Sequence, residues 1–190
     1  MKYMGSKNRI AKHLLPIILK DRKPGQWYVE PFVGGANMID KVGGNRIGAD
    51  SNEHVIEALK FIRDCSTPKN NIEFSEKDYN NAIEFYRATL KIEPIECYAL
   101  IAFSFGAKWC GGWSRGKNSS GMERDYVAEQ HRASEKQKQL LQGVKLISSS
   151  YSELNIPPNS IIYCDPPYAN TTKYKDDFNH DLSGNGAEIK

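Results

Sequence analysis

WYVEPFVGGANMIDKVGGNRIGADSNEHVIEALKFIRD, residues 27–64, contains the same succession of patterns twice. An apolar run at 27–30 predicts a strand, a turn with proline and glycines follows, and a helix is predicted from about Ala36. A second strand is predicted at 46–49, ending at an acidic residue, and a second helix at about 52–64. This repeated alternation is typical of the opening of a doubly wound α/β sheet.

The next segment, residues 65–143, interrupts the alternation. It predicts two helices, a glycine- and serine-rich loop and a polar helix, at 76–90, 92–105, 106–125 and 125–143. Strand-like runs resume within 144–151 and 159–168. We therefore expect an α/β core formed by 1–64 and 144–190, with 65–143 as an inserted, mainly helical subdomain.

Composition is ordinary for a globular chain of 190 residues, with 39% hydrophobic and 26% charged residues. A net charge of +3 does not by itself demand a nucleic-acid partner. The four cysteines form no CxxC pair, so neither a zinc site nor a disulfide framework is indicated. No apolar run approaches about 18 residues and no signal peptide opens the chain, so we expect a cytoplasmic protein without a membrane span.

Two motifs follow the predicted strands at 27–30 and 46–49. In EPFVGG, residues 30–35, the glycines would let the backbone approach a ligand closely, although such turns also occur for packing reasons. Asp50 ends the next strand, where an acidic residue in nucleotide-binding folds accepts hydrogen bonds from ribose hydroxyls. An equally good interpretation is a helix N-cap, in competition with Ser51.

A third motif, DPPY at 165–168, follows the apolar run SIIYC. Asp-Pro pairs often begin surface turns. At the carboxyl end of a strand, however, Asp165, Pro166 and Tyr168 would supply an acceptor, a rigid carbonyl and a stacking ring. That set suits a planar base with an exocyclic amine.

These landmarks stand in one order: KYMGSK at 2–7, EPFVGG, Asp50, the long insert and DPPY. The order resembles that of the Dam-type DNA adenine-N6 methyltransferases, which use S-adenosylmethionine. The resemblance covers roughly residues 1–180, and within the insert it lies mainly in FSFGAKWCGGW, residues 103–113. It implies a Rossmann-like, S-adenosylmethionine-dependent methyltransferase sheet with an inserted target-recognition subdomain.

The resemblance also implies roles for individual residues. Asp50 would bind the ribose, and Ser150 and Tyr151 would border the adenine of the cofactor; the family often has an acidic residue where Ser150 stands. The remaining cofactor contacts would be Tyr3, Lys7, Glu30, Pro31, Phe32, Val33, Gly34, Gly35, Ala36, Asn37 and Asp165. The catalytic set would be Asp165, Pro166, Pro167 and Tyr168.

The chemistry follows from the catalytic residue types. Asp165 and the Pro166 carbonyl can accept both N–H groups of an adenine amine and turn its lone pair toward the methyl group. Stacking on Tyr168 would hold the base. The transfer is a displacement from a sulfonium, which requires no metal, and the adenine must be flipped out of the duplex.

The loop in the insert is the predicted contact with double-stranded DNA. Lys108, Arg115 and Lys117 provide basic groups for phosphates or base edges, and Trp109 and Trp113 provide rings that could wedge into the duplex. The alternative is a solvated loop whose tryptophans pack on the helices. The basic N-terminal 23 residues are a second candidate surface.

The family fold has three further strands after the catalytic motif, whereas 22 residues follow Tyr168 here. The sheet is therefore expected to be incomplete at the C-terminus. One hypothesis is an active adenine methyltransferase; the other is a truncated, inactive remnant that still binds DNA or S-adenosylmethionine. The apolar strand predicted at 160–164 would have an unpaired edge, so self-association or a C-terminal partner chain is expected.

Overall fold

A computed structural model describes residues 1–166. Along this part of the chain there are five α-helices and four strands. The helices are α1 (Ala11–Ile18), α2 (Glu53–Asp64), α3 (Glu76–Thr89), α4 (Pro94–Ala102) and α5 (Tyr126–Leu140). The strands are β1 (Tyr28–Glu30), β2 (Arg46–Asp50), β3 (Val144–Ser148) and β4 (Ile161–Ile162). The predictions for Pro167 and Tyr168 lie outside the described residues.

The strands form one parallel sheet in the order β3-β2-β1-β4. In register, Tyr28 of β1 lies between Arg46 of β2 and Ile161 of β4. Strands β2 and β3 lie on one side of β1, and β4 lies on its other side. The direction of strand order therefore reverses between β1 and β4. Open α/β sheets bind ligands at the carboxyl ends of the strands beside such a reversal. The predicted Rossmann-like α/β sheet is confirmed.

The helix expected from about Ala36 does not form, so that prediction is wrong. Gly34 and Ala36 both adopt left-handed backbone angles, with φ of 46° and 57°. These angles interrupt a right-handed helix. Only the short 3₁₀ turn Ile39–Lys41 precedes β2. The glycine turn is therefore shaped by its neighbours in space and has no helix N-terminus behind it.

The helices of the insert pack against the α/β elements. Helix α4 is apolar on nearly all sides, and Cys97 to Ala102 are all buried, as is typical of a helix enclosed within a core. Both α4 and α5 contact α2, whose buried face includes Val55, Ile56 and Leu59. The insert and the sheet therefore contribute to one hydrophobic core. The domain boundaries at 64 and 144 stay a prediction.

Strand β4 is shorter than the strand expected at 160–164, and Ile162 is 47% exposed. It pairs with β1, and no strand within residues 1–166 pairs with its other edge. Association through that edge, with a second copy or with a C-terminal partner, stays a prediction. None of the helices formed by these residues is long and apolar enough to cross a membrane.

Candidate active site at the carboxyl edge of the sheet

The glycine turn after β1 is packed against the N-terminal segment. A Cβ on Gly35 would lie 2.7 Å from the Met1 carbonyl oxygen and from the Tyr3 Cβ, and one on Gly34 would lie 3.0 Å from the Tyr3 ring. Asn37 Nδ2 donates to the Met1 carbonyl oxygen over 3.0 Å. The glycines are thus required by close packing inside the protein, and Tyr3 packs against the turn; its contact with the cofactor stays a prediction.

Asp50 holds this turn to the end of β2. Its Oδ2 accepts a hydrogen bond of 3.0 Å from Gly34 N, and its Oδ1 accepts one of 3.0 Å from Asn52 N. The N-cap of α2 is Asn52, whose side chain accepts from His54 N at 3.1 Å. The alternative that Asp50 or Ser51 caps this helix is therefore wrong. The Asp50 carboxylate therefore joins the glycine turn to the segment between β2 and α2.

Glu30, at the end of β1, is enclosed by protein and only 2% exposed. Tyr28 Oη donates to its Oε1 over 2.9 Å. Burial raises the pKa of Glu30 to about 8; the Tyr28 hydrogen bond opposes this rise, and the nearby carboxylates Asp40 and Asp165 add to it. Glu30 thus favours its neutral form at pH 7, and its side chain is enclosed by protein at the end of β1.

Asp165 lies at the same edge, because Tyr163 N donates to Val29 O over 2.9 Å and aligns the end of β4 with β1. The Asp165 carboxylate forms an ion pair of 2.7 Å with Lys7 Nζ. Lys7 also donates to Gly5 O over 3.3 Å. Two residues from opposite ends of the described chain, both predicted as site residues, are therefore in direct contact beside the glycine turn.

An aromatic pair extends this edge toward β3. The rings of Phe32 and Tyr151 have centroids 5.6 Å apart and are tilted by 32°. Ser150 Oγ donates to Glu153 Oε2 over 3.0 Å. Glu153 was not anticipated, although the spacing Ser-x-x-Glu is the signal that could have identified it. A carboxylate thus stands beside Ser150, which was predicted to border the adenine of the cofactor.

Several other residues that were predicted to contact the cofactor have buried side chains. Pro31, Val33 and Ala36 are buried, and Pro166, which was predicted as a catalytic residue, is half-buried. At these positions the backbone, more than the side chain, is available to a ligand.

The two tryptophans of the predicted DNA loop pack on helices. Trp109 stacks on His54 with centroids 4.4 Å apart and planes 7° apart. Trp113 packs edge-on against Tyr79 at 5.5 Å. The alternative interpretation of the loop was that its tryptophans pack on the helices, and both rings do so.

The basic residues of the same loop, Lys108, Arg115 and Lys117, are exposed. Arg115 forms an ion pair with Glu76 at the start of α3. Directly before the loop, in the short 3₁₀ turn Phe105–Ala107, the ring of Phe105 is 69% exposed; this residue was not singled out from the sequence. Its position two residues after the buried Phe103 offered no periodic signal that distinguished it from a core residue.

Comparisons of this sequence with those of known proteins identify its family. A sequence profile for the D12 class of N6 adenine-specific DNA methyltransferases matches residues 3–189. The type II methyltransferase M.FokI of Planomicrobium okeanokoites is 26% identical over 204 aligned positions, which cover 94% of this chain and 30% of that protein. The chain thus spans less than one third of the length of this relative. The predicted family resemblance is confirmed.

Proposed function

We propose that this chain, which belongs to the D12 class N6 adenine-specific DNA methyltransferases, transfers a methyl group from S-adenosylmethionine to a flipped-out adenine of double-stranded DNA. The observation that carries the proposal is the position of Asp165, which follows β4 at the strand-order reversal beside the glycine turn after β1. Parallel strands bring their carboxyl ends to one edge, so cofactor and base would meet there.

The donors and acceptors at this edge fit the cofactor. The Asp50 carboxylate, at the end of β2 beside the glycine turn, is the acceptor for the ribose hydroxyls. Phe32 and Tyr151 provide apolar faces for the adenine ring, and Glu153 provides an acceptor near Ser150 for its amine. When bound, the cofactor would supply a methyl group activated by the adjacent sulfonium: transfer would break its S–CH₃ bond, form the N–CH₃ bond and leave S-adenosylhomocysteine, and the proton lost by the amine would pass to the Asp165 carboxylate.

The chain's own part in the reaction is to orient the target amine. That amine is a poor nucleophile, because its lone pair is delocalised into the adenine ring. Asp165 and the Pro166 carbonyl can each accept one of its N–H groups, which directs the lone pair out of the ring plane. Lys7 holds the Asp165 carboxylate in place through the 2.7 Å ion pair. Positioning of this kind supplies much of the rate enhancement in displacement reactions.

DNA would be bound by the loop of the insert. Lys108, Arg115 and Lys117 would contact phosphates or base edges, which predicts affinity that falls with salt concentration. With Trp109 and Trp113 packed on helices, Phe105 is the ring best placed to contact the DNA.

The test is a methyl-transfer assay with labelled S-adenosylmethionine on an unmethylated duplex, with fully adenine-methylated duplex as the matched control. Label incorporated only into the unmethylated duplex supports the proposal. The alternative, binding of cofactor and DNA without turnover, has a distinct outcome. Calorimetric binding of cofactor and DNA without transfer would select it, and absence of both would reject both functions.

A further inference from the structure

The side chain of Gln137, on α5, is buried beside the glycine turn and is 4% exposed. Its Nε2 donates to Gly35 O over 3.0 Å and to Asp40 Oδ2 over 3.0 Å, with a longer contact of 3.5 Å to Ala36 O. Its Oε1 accepts a hydrogen bond from the Met1 amino group. One amide thus binds the turn, the 3₁₀ segment after it and the N-terminal segment packed over it.

These bonds add to two others on the same carbonyl groups: Gly35 O also accepts from the Met1 amino group over 3.3 Å, and Ala36 O accepts from Asp40 N over 3.3 Å. A buried carbonyl without a donor costs about 1–3 kcal/mol, so the turn keeps this conformation only where donors meet it. Ala36 is in the left-handed region, with φ of 57°, which is unfavourable for a residue with a Cβ unless the surroundings impose it. Gln137 is a buried side-chain donor to the carbonyl groups on both sides of Ala36, and through its Oε1 it also binds the Met1 amino group, the other donor to Gly35 O.

Helix α5 also continues directly from the loop assigned to DNA. Arg124 N, just before the helix, donates to Gly116 O of that loop over 2.9 Å. Tyr126, its first residue, packs so closely that a Cβ on Gly116 would lie 2.8 Å from its hydroxyl oxygen. One rigid helix therefore contacts the loop at its start and the glycine turn near its end.

We propose that Gln137 is a positioning residue for the cofactor, holding the glycine turn in its binding conformation from the target-recognition insert. The inference rests on the proposed function, because it concerns the same cofactor site. The insert is then part of the cofactor site's support as well as a DNA-binding element. Loss of the Gln137 amide would weaken cofactor binding without touching the groups that orient the target amine.

The test compares Gln137→Met with Gln130→Met in the full chain. Gln130 lies two turns earlier on α5 and is also buried, at 7% exposed, but its Oε1 has no hydrogen-bond partner within residues 1–166. By calorimetry with S-adenosylhomocysteine, Gln137→Met should raise the Kd about tenfold, and Gln130→Met should leave it within about twofold. If the parent chain has methyl-transfer activity, Gln137→Met should also raise the KM for S-adenosylmethionine about tenfold. Its KM for DNA and its rate at saturating S-adenosylmethionine should stay close to the parental values.

An unchanged Kd for Gln137→Met, or an equal loss for Gln130→Met, would overturn the inference while leaving the proposed function intact. A parent chain that binds no S-adenosylhomocysteine would instead overturn the proposed function and this inference with it. If Gln137→Met does not fold, amide hydrogen exchange on the parent decides. Residues 33–37 and 133–137 should gain protection together when S-adenosylhomocysteine binds, and protection of 33–37 alone contradicts the proposal.

Discussion

Lys7 and Asp165 form an ion pair of 2.7 Å in which each side chain is only about one-fifth exposed. The lysine comes from the N-terminal segment that covers the glycine turn, and the aspartate follows the last described strand. Because the pair is sheltered from water, its charges are screened less than those of a surface pair. The contact therefore orients the carboxylate that we assign to the target amine.

We expect Asp165→Ala to lower the methyl-transfer rate by about 10²–10³-fold while leaving the thermal midpoint of unfolding near that of the parent, because Asp165 follows β4 and is not part of it. Lys7→Met should lower the rate about tenfold, and Lys7→Arg should lose less because it keeps the charge. The assay is label transfer to unmethylated duplex. A parental rate in Asp165→Ala would contradict its role in orienting the amine.

Asp50→Ala should weaken S-adenosylhomocysteine binding by roughly 1.5–3 kcal/mol, because it removes acceptors for the ribose and the hold on Gly34. Asn52→Ala is the matched control: it removes the α2 cap and should cost about 1 kcal/mol of stability without changing affinity. Calorimetry and denaturant unfolding measure the two effects. Equal affinity of Asp50→Ala and the parent would reject the ribose role.

Stability should fall with rising pH through the buried Glu30. Its pKa is raised in the folded state from an ordinary 4.5 to about 8, so between these values the folded chain retains a proton that the unfolded chain has lost. The contribution of protonated Glu30 to the free energy of unfolding is therefore full below about pH 4.5, falls as the pH rises, and is lost by about pH 8. Glu30→Gln should flatten the decline in free energy of unfolding, measured by urea titration across this range.

Tyr28→Phe provides the opposite variant for the same measurement. The Tyr28 hydrogen bond favours the ionised form of Glu30, so its removal should raise the pKa of Glu30 further and extend the decline to higher pH. A decline that both variants leave unchanged would show that Glu30 is not its source.

Phe105 and Trp109 should respond differently to truncation. Trp109→Ala removes a ring stacked on His54 and should lower the free energy of unfolding by about 2–4 kcal/mol. Phe105→Ala should change stability by less than about 0.5 kcal/mol but weaken binding to duplex DNA. Fluorescence anisotropy with labelled duplex measures the binding. Parental DNA affinity in Phe105→Ala would remove this ring from the interface.

The Arg115–Glu76 ion pair predicts that substitutions of its two residues change DNA affinity in opposite directions. Glu76→Gln frees the guanidinium for phosphate and should tighten DNA binding, whereas Arg115→Ala should weaken it and reduce the slope of log affinity against log salt by about 1. Titrations at several salt concentrations give both values. Weaker binding by Glu76→Gln would mean that the pair positions Arg115 for DNA instead of competing with it.

The sequence alone predicted the parallel sheet, the glycine turn after β1, Asp50 at the end of β2 and Asp165 after β4. These features depend on local patterns, because alternating strand and helix runs give parallel strands whose carboxyl ends share one edge. The family followed from the order of the same motifs, and the profile match confirms it.

Tertiary structure decided the conformation of the turn and the partners of its residues. In place of the helix expected at Ala36, Gly34 and Ala36 adopt left-handed angles in a turn against which Tyr3 packs and to which Asp50 and Gln137 are hydrogen-bonded. Tertiary structure also decided the position of the two tryptophans, because the rings of Trp109 and Trp113 pack on His54 of α2 and Tyr79 of α3. Periodicity reports which residues prefer burial, but which distant donor meets which acceptor is settled only when the whole core packs.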